Sequence, residues 1–456
     1  MAASRPGRLA VVLHTHMPYV EGYGTWPFGE EWLWEAMATS YLPLLDVLDR
    51  APELTFSVTP VLADQLAAPG IAERFLAFLR DVRTETHRRD VAAAASPDVA
   101  AALSRSARDY AWAAARFEAL GGDLLTPLMA HAAWTSSATH AVLPLLATDA
   151  GVRLQVRTGV ASHRARSPRP WRGGFWSPEC AYGPWLDPIL EDEGVHATCV
   201  DLTDVYGMGA AEHLRPVRSA DGPLLVPIDR QTIELVWSAG GYPAAGAYRD
   251  SHRKTEYEHK PWRNDGGVYE ADAAAALARA HAREFVEHVG RRVADGGLCV
   301  FAIDTELLGH WWYEGPRWLA AVVEECRAQG VELVHLDDAI ASCEPVAAPA
   351  EGLPVTTWGR NRDLSTWSSP VVADLAASAR DAELRAVAHA AELSPAAVRE
   401  LLALQSSDWA FVVSERFAEP YGRERAAHHR TALDAGGGAG PRSLAPHATA
   451  APLLAP

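Results

Sequence analysis

Short unbroken apolar runs alternate with longer stretches of helical periodicity along most of this chain. Leu9-Ala10-Val11-Val12-Leu13 is apolar at every position, which suits a strand buried on both faces. Leu54–Val58, Gly174–Trp176, His196–Asp201, Leu224–Ile228, Ile233–Trp237, Gly297–Ile303 and Val331–Leu336 read the same way, and Leu124-Leu125 opens a further short strand. Between them the apolar positions recur at helical spacing. In Trp26–Asp49 they are Trp32, Leu33, Ala36, Met37, Tyr41, Leu44, Leu45 and Leu48; Val152–Ser167, Trp185–Glu193, Ala271–Ala294 and Arg317–Gln329 are further helices. Strands alternating with helices predict an α/β barrel or a doubly wound sheet.

Three stretches break the alternation. Residues 62–120, rich in Ala, Arg and Glu, carry only helical patterning and predict a helical insertion after the second strand. Ser238–Val268 is a long polar segment, and a loop of that length in a compact domain is usually functional. After Pro345 the pattern turns helical again. The chain therefore divides into a catalytic region (1–61 and 121–345), the insertion (62–120), a C-terminal helical domain (346–433) and an Ala/Gly/Pro-rich tail expected to be disordered (434–456).

Charge and cysteine usage narrow the class. Lys+Arg is 41 against Asp+Glu 58, a net charge of −17, which argues against nucleic acid or an anionic membrane as partner. Cys180, Cys199, Cys299, Cys326 and Cys343 are odd in number and scattered, as expected of reduced thiols in a cytoplasmic protein. The run Leu9–Leu13 is too short for a signal peptide, and no run is long enough to span a bilayer.

The chemistry gathers where strands end. Leu9–Leu13 leads into His14-Thr15-His16, and two histidines at alternate strand positions point the same way. They suit metal ligation, hydrogen bonding to a substrate, or plain packing. Gly174–Trp176 leads into Ser177-Pro178-Glu179-Cys180-Ala181-Tyr182, where Glu179 is either a catalytic carboxylate among aromatics or a helix cap. Gly297–Ile303 delivers Asp304-Thr305-Glu306 and then His310-Trp311-Trp312. Two carboxylates on separate strand ends, both beside aromatics, fit retaining glycoside chemistry, which needs such a pair roughly 5–5.5 Å apart. A metal-dependent barrel hydrolase of the amidohydrolase type would use His14, His16 and Asp304 instead, although both lysines, Lys254 and Lys260, lie in the long polar loop. A non-enzymatic glucan-binding barrel would use the sixteen Trp residues and leave the acids idle.

From about Leu9 to Val413 these residues resemble glycoside hydrolase family 57, and within it the 1,4-α-glucan branching subgroup. The motifs are His14-Thr15-His16-Met17-Pro18, Gly122-Asp123-Leu124 with Ala138-Thr139-His140, Trp176-Ser177-Pro178-Glu179-Cys180, and Phe301-Ala302-Ile303-Asp304-Thr305-Glu306-Leu307. The branching subgroup in particular is similar at Glu31-Trp32-Leu33, Gly309–Pro316, Trp358 with Trp367, and Ser407-Asp408-Trp409. The resemblance implies a (β/α)7 barrel with a helical insertion and a C-terminal helical domain closing the cleft. It implies a double displacement without metal or cofactor on an α-glucan, with Glu179 as nucleophile and Asp304 as acid/base. The α-1,4 linkage would be cleaved and an α-1,6 branch formed. Its sugar-binding set would be His14, His16, His140, Trp176, Arg249, Trp262, Arg263, His310, Trp311, Trp358, Trp367 and Asp408. The same family's 4-α-glucanotransferases and α-amylases are the nearest alternatives. Two departures stand out: Pro127–Thr135 is interposed in the second motif, and Ser238–Val268 is shorter than in branching relatives. In those the loop carries an aromatic tip that shields the intermediate, for which Tyr242 is the candidate here.

Overall fold

The structure is a computed structural model that describes residues 7–25, 28–219, 221–438 and 443–454. Its strands are β1 (Arg8–Thr15), β2 (Thr55–Val58), β3 (Ala132–Ser136), β4 (Gly174–Trp176), β5 (Ala197–Val200), β6 (Val217–Arg218), β7 (Leu224–Pro227), β8 (Leu298–Asp304), β9 (Glu332–Leu333) and β10 (Val346–Ala347). Neighbour pairing runs β7-β5-β4-β3-β2-β1-β8, all parallel. This row curls on itself. Just beyond β7 the Asp229 N–H donates to the Val300 carbonyl of β8 (2.8 Å), joining the two ends. The fold is thus the incomplete (β/α)7 barrel. β6, antiparallel to β7, and β10 extend one edge, and β9 pairs with the start of β1.

Apolar runs became central strands because helices and neighbouring strands cover both faces: Leu9–Leu13 and Cys299–Ala302 are almost wholly inaccessible. Parallel pairing then puts every strand's C-terminal end at one mouth. The register sets His14 opposite both Ser57 and Asp304.

Several expectations need correction. Ile233–Trp237 is not a strand: Arg230–Glu234 is a short helix whose last carbonyls are taken up by a turn through Trp237. Its apolar run belongs to a buried helix face, which periodicity cannot separate from a strand at this length. Leu124-Leu125 opens the helix Leu125–His131, and the strand is β3 immediately after it. Trp26 lies outside the described residues; the helix it was expected to begin runs from Glu30 to Leu48, with one wide π turn at Met37–Tyr41.

The tail is not disordered over 443–454. Ser443 donates to Glu21 through its N–H (3.1 Å) and its hydroxyl (3.0 Å), and the Ala445 N–H donates to Asp64 (2.6 Å). Leu444 and Leu453 are buried, and Ala451–Leu454 packs as a 3₁₀ turn on the helix Asp149–Arg166. A low-complexity composition missed these contacts because they depend on only a few apolar side chains. The helices Ala373–Ala388, Pro395–Leu404, Ser407–Ser414 and Glu419–Asp434 form the C-terminal layer, whose core Leu444 and Leu453 of the tail join.

Candidate active site

The segment after β4 is held in an unusual conformation. Glu179 (φ 62°) and Cys180 (φ 48°) are both left-handed, which costs on the order of 1–3 kcal/mol per residue and persists only where surroundings enforce it. Here the enforcement is a ribbon of bonds to residues 356–358. The Trp358 N–H (3.0 Å) and the Thr357 hydroxyl (2.7 Å) donate to the Glu179 carbonyl, and Tyr182 and Thr356 exchange backbone bonds. The turn swings the Glu179 carboxylate away from the chain that follows, so it caps no helix. Its Oε2 accepts the indole N–H of Trp358 (3.0 Å), and its Oε1 lies 3.8 Å from His140 Nδ1.

Three histidines from two stretches form one stack beside it. His14 lies on the Trp176 ring (centroids 4.6 Å apart), and His16 lies on His140 (4.0 Å). His14 Nε2 meets His140 Nε2 at 3.0 Å, so one of the two nitrogens carries the hydrogen and the other accepts it. The remaining nitrogens are fixed by Ser57 (3.3 Å, His14), Thr59 (3.2 Å, His16), Asp408 (2.9 Å, His16) and Ser407 (2.9 Å, His140). Burial, then the nearby His16, holds His14 and His140 well below the usual imidazole range, so both are neutral at pH 7. His140 itself is left-handed (φ 57°) and buried.

The Asp304 charge reaches Glu179. Burial, then the like charge of Asp304, pushes Glu179 up to about 8. Burial, then Glu306, pushes Asp304 up to about 7, opposed by His16. Asp304 stands opposite His14 in the β1–β8 register, and His14 meets His140, which lies beside Glu179, so the histidine stack links the two carboxyls at the barrel mouth.

Sequence reasoning brought His14, His16, His140, Trp176, Glu179, Asp304, Trp358 and Asp408 to one place, and the structure gathers all eight. The others stand apart. Trp367 is buried against Val142 and Ala181, its ring closed over by Gly359, so it presents no open face. Arg249 is sandwiched between the Tyr313 and Tyr269 rings (3.4 and 4.6 Å). Arg263 pairs with Asp265 and Glu270, and Trp262 lies under Arg253 (4.3 Å). His310 is held down at about 4 by burial and the nearby Lys260, and Trp311 is 45% exposed. Tyr242 is buried on His281 (ring centroids 4.4 Å apart) and is not a loop tip. Ser57, Thr59, Ser407 and Glu306 touch the gathered residues, Tyr41 bonds Glu306, and none of the five was singled out. Ser57 and Thr59 were readable only through the β1–β2 register, whereas Glu306 stood in plain view two residues past Asp304.

With this geometry in hand, comparison with known proteins places the chain. Residues 133–351 match the family model "Glycosyl hydrolase family 57", and residues 372–435 match "1,4-alpha-glucan branching enzyme, C-terminal". The chain belongs to glycosyl hydrolase family 57. It is 32% identical to the 1,4-alpha-glucan branching enzyme TK1436 of Thermococcus kodakarensis, over 93% of this chain and 72% of that one. It is 33% identical to a Mycobacterium tuberculosis protein named a probable 1,4-alpha-glucan branching enzyme (Rv3031), over 94% and 91%. The crystal structure of a GH57-type branching enzyme from Pyrococcus horikoshii superposes with a TM-score of 0.87 at 29% identity, over 94% and 89%. This membership overturns the amidohydrolase alternative. Among the described residues no three His, Cys, Asp or Glu side chains are grouped to hold a metal ion.

Proposed function

We propose that this protein is a 1,4-α-glucan branching enzyme, a retaining transglycosylase. The observation that carries the mechanism is that one histidine stack joins the two carboxyls, His14 opposite Asp304 and His140 beside Glu179, with the Trp358 indole N–H donating to Glu179. In the first step the Glu179 carboxylate attacks the anomeric carbon of an α-1,4-linked glucose. The bond to the departing O4 breaks as Asp304 gives that oxygen its proton. In the second step Asp304 takes the proton of a glucan 6-hydroxyl, whose oxygen displaces Glu179 and leaves an α-1,6 linkage.

Both carboxyls are raised, yet the mechanism needs one ionised and one protonated. The pair resolves this itself. Asp304's negative charge contributes to raising Glu179, so once Asp304 holds a proton that contribution vanishes and Glu179 ionises more readily. The Trp358 N–H, a donor with no acceptor role, stabilises charge on Glu179 in particular.

The histidine stack supports sugar-hydroxyl recognition, with Asp408 and Ser407 orienting the rings from the C-terminal layer. Trp311, exposed beyond β8, offers a stacking face for a glucan chain. Arg249, Trp262, Arg263 and His310 fit a supporting role for the loop around 238–268. Five free cysteines and an acidic chain suit a cytoplasmic enzyme. The test is incubation with amylose followed by counting α-1,6 linkages and reducing ends. Branches forming without a matching rise in reducing ends are expected; reducing ends alone would replace the transferase with a hydrolase.

A further inference from the structure

Glu306 takes no part in the steps above, yet its carboxyl is tightly held at the barrel mouth. It lies on the turn Thr305–Leu307 directly after β8 and is buried. Its Oε1 accepts two hydrogen bonds, from the Tyr41 hydroxyl (2.6 Å) and from the backbone N–H of His16 (3.1 Å). Tyr41 closes the π turn Met37–Tyr41, a local widening of the kind that recurs at functional sites. The same turn offers the Ser40 hydroxyl to the Thr305 carbonyl (3.0 Å), while the Thr15 and Thr305 hydroxyls meet at 2.7 Å. Gly309 lets the two segments close: it has φ 108°, and a Cβ there would stand 1.9 Å from the Thr39 carbonyl oxygen. Among the described residues Glu306 forms no ion pair. The titratable groups that face it are Tyr41 from the π turn, His16 from the end of β1, and Asp304 on its own strand.

We infer that Glu306 is a positioning residue for the reaction: it fixes the end of β1 against the end of β8 and, standing beside Asp304, keeps a proton on that carboxyl. The inference rests on Asp304 being the acid/base. Two carboxyls sharing a buried place do not both ionise at neutral pH, so one proton stays on the pair. Burial raises both, and the charge of Glu306 raises Asp304 further. What divides the proton between them is the donor geometry. Glu306 receives a hydroxyl and an N–H, both of which stabilise a carboxylate, whereas no described group donates to Asp304. The charge therefore settles on Glu306 and the proton on Asp304, where the leaving oxygen needs it. His16 opposes the rise at Asp304. Glu306 itself touches no substrate in this arrangement.

The experiment is the pH profile of kcat/KM on a maltooligosaccharide for wild type, Glu306→Gln, Tyr41→Phe and Asp304→Asn, with Tm measured alongside. Gln keeps an oxygen for Tyr41 and His16 and removes the charge. Its basic limb, which reports loss of the acid's proton, is expected about one unit lower. Activity would then drop about tenfold at pH 8 and change little at pH 6. Tyr41→Phe removes one of the two donors and is expected to move the limb the same way by less. A limb that stays in place in both variants, or a loss uniform across pH, overturns the inference. The underlying reading is tested separately: an active Asp304→Asn sinks the acid/base assignment, whereas an inactive one with an unmoved Glu306→Gln limb sinks only the positioning role.

Discussion

His16 and Asp408 stand 392 residues apart in sequence and meet at 2.9 Å between Nε2 and Oδ1. One ends the first barrel strand and the other begins a helix of the C-terminal layer. Asp408 is held in turn by the Ser406 hydroxyl (2.6 Å), and the neighbouring Ser407 fixes His140. The C-terminal helices thus complete the histidine stack rather than merely covering it. Asp408→Ala is expected to lower kcat/KM by about 10- to 100-fold, the usual cost of a charge-assisted bond, with Tm nearly unchanged. Unaltered kinetics would reduce this layer to a passive cover.

Trp358 gives Glu179 its single indole donor at 3.0 Å. Trp358→Phe keeps the aromatic face and removes the N–H. Losing a bond to the charged form raises the carboxyl further, so the acidic limb of the pH profile is expected to move upward. The rate at pH 7 should fall about tenfold. Steady-state profiles of the two proteins decide it; a change in KM alone would assign Trp358 to binding only.

A raised carboxyl is also a statement about stability. Glu179 sits at about 8 in the folded chain and near its ordinary value when unfolded. Between those values the folded state binds more protons than the unfolded one, so stability falls as pH climbs from about 4 to about 8. Glu179→Gln removes that penalty. It is expected to abolish turnover while raising Tm by about 2 °C at pH 8, with the gain fading toward pH 4. A lower Tm at pH 8 would contradict the burial argument.

The segment 443–454 is expected to matter for stability. It buries Leu444 and Leu453 and ties Glu21 and Asp64 to backbone and hydroxyl donors. Asp64, pushed up to about 6 by burial, also receives Arg166 (2.6 Å), so truncation would leave a buried carboxyl short of a donor. Each apolar side chain contributes about 1.5–3 kcal/mol on burial. Truncation after Gly438 is expected to lower Tm by about 5 °C or more. Scanning calorimetry on full and truncated chains checks this, and coincident transitions would reject it.

The sequence by itself determined the barrel strands and the residues delivered at their ends. Unbroken apolar runs, and the acids and histidines directly after them, are local features that parallel pairing converts into a shared mouth. Glu179 and Asp304 were legible for that reason. Local pattern failed where burial came from distant partners. The run at 233–237 is apolar because of what packs on it, and the tail is ordered because Glu21 and Asp64 await it. Only the tertiary structure decided which candidates share the site. Trp367 and Arg249 carry the right chemistry, but packing closes the ring of one and stacks the other between tyrosines. It likewise decided the protonation of the site. A carboxyl's or imidazole's affinity for protons depends on burial and on charges within a few ångströms, and neither quantity is written in the order of residues.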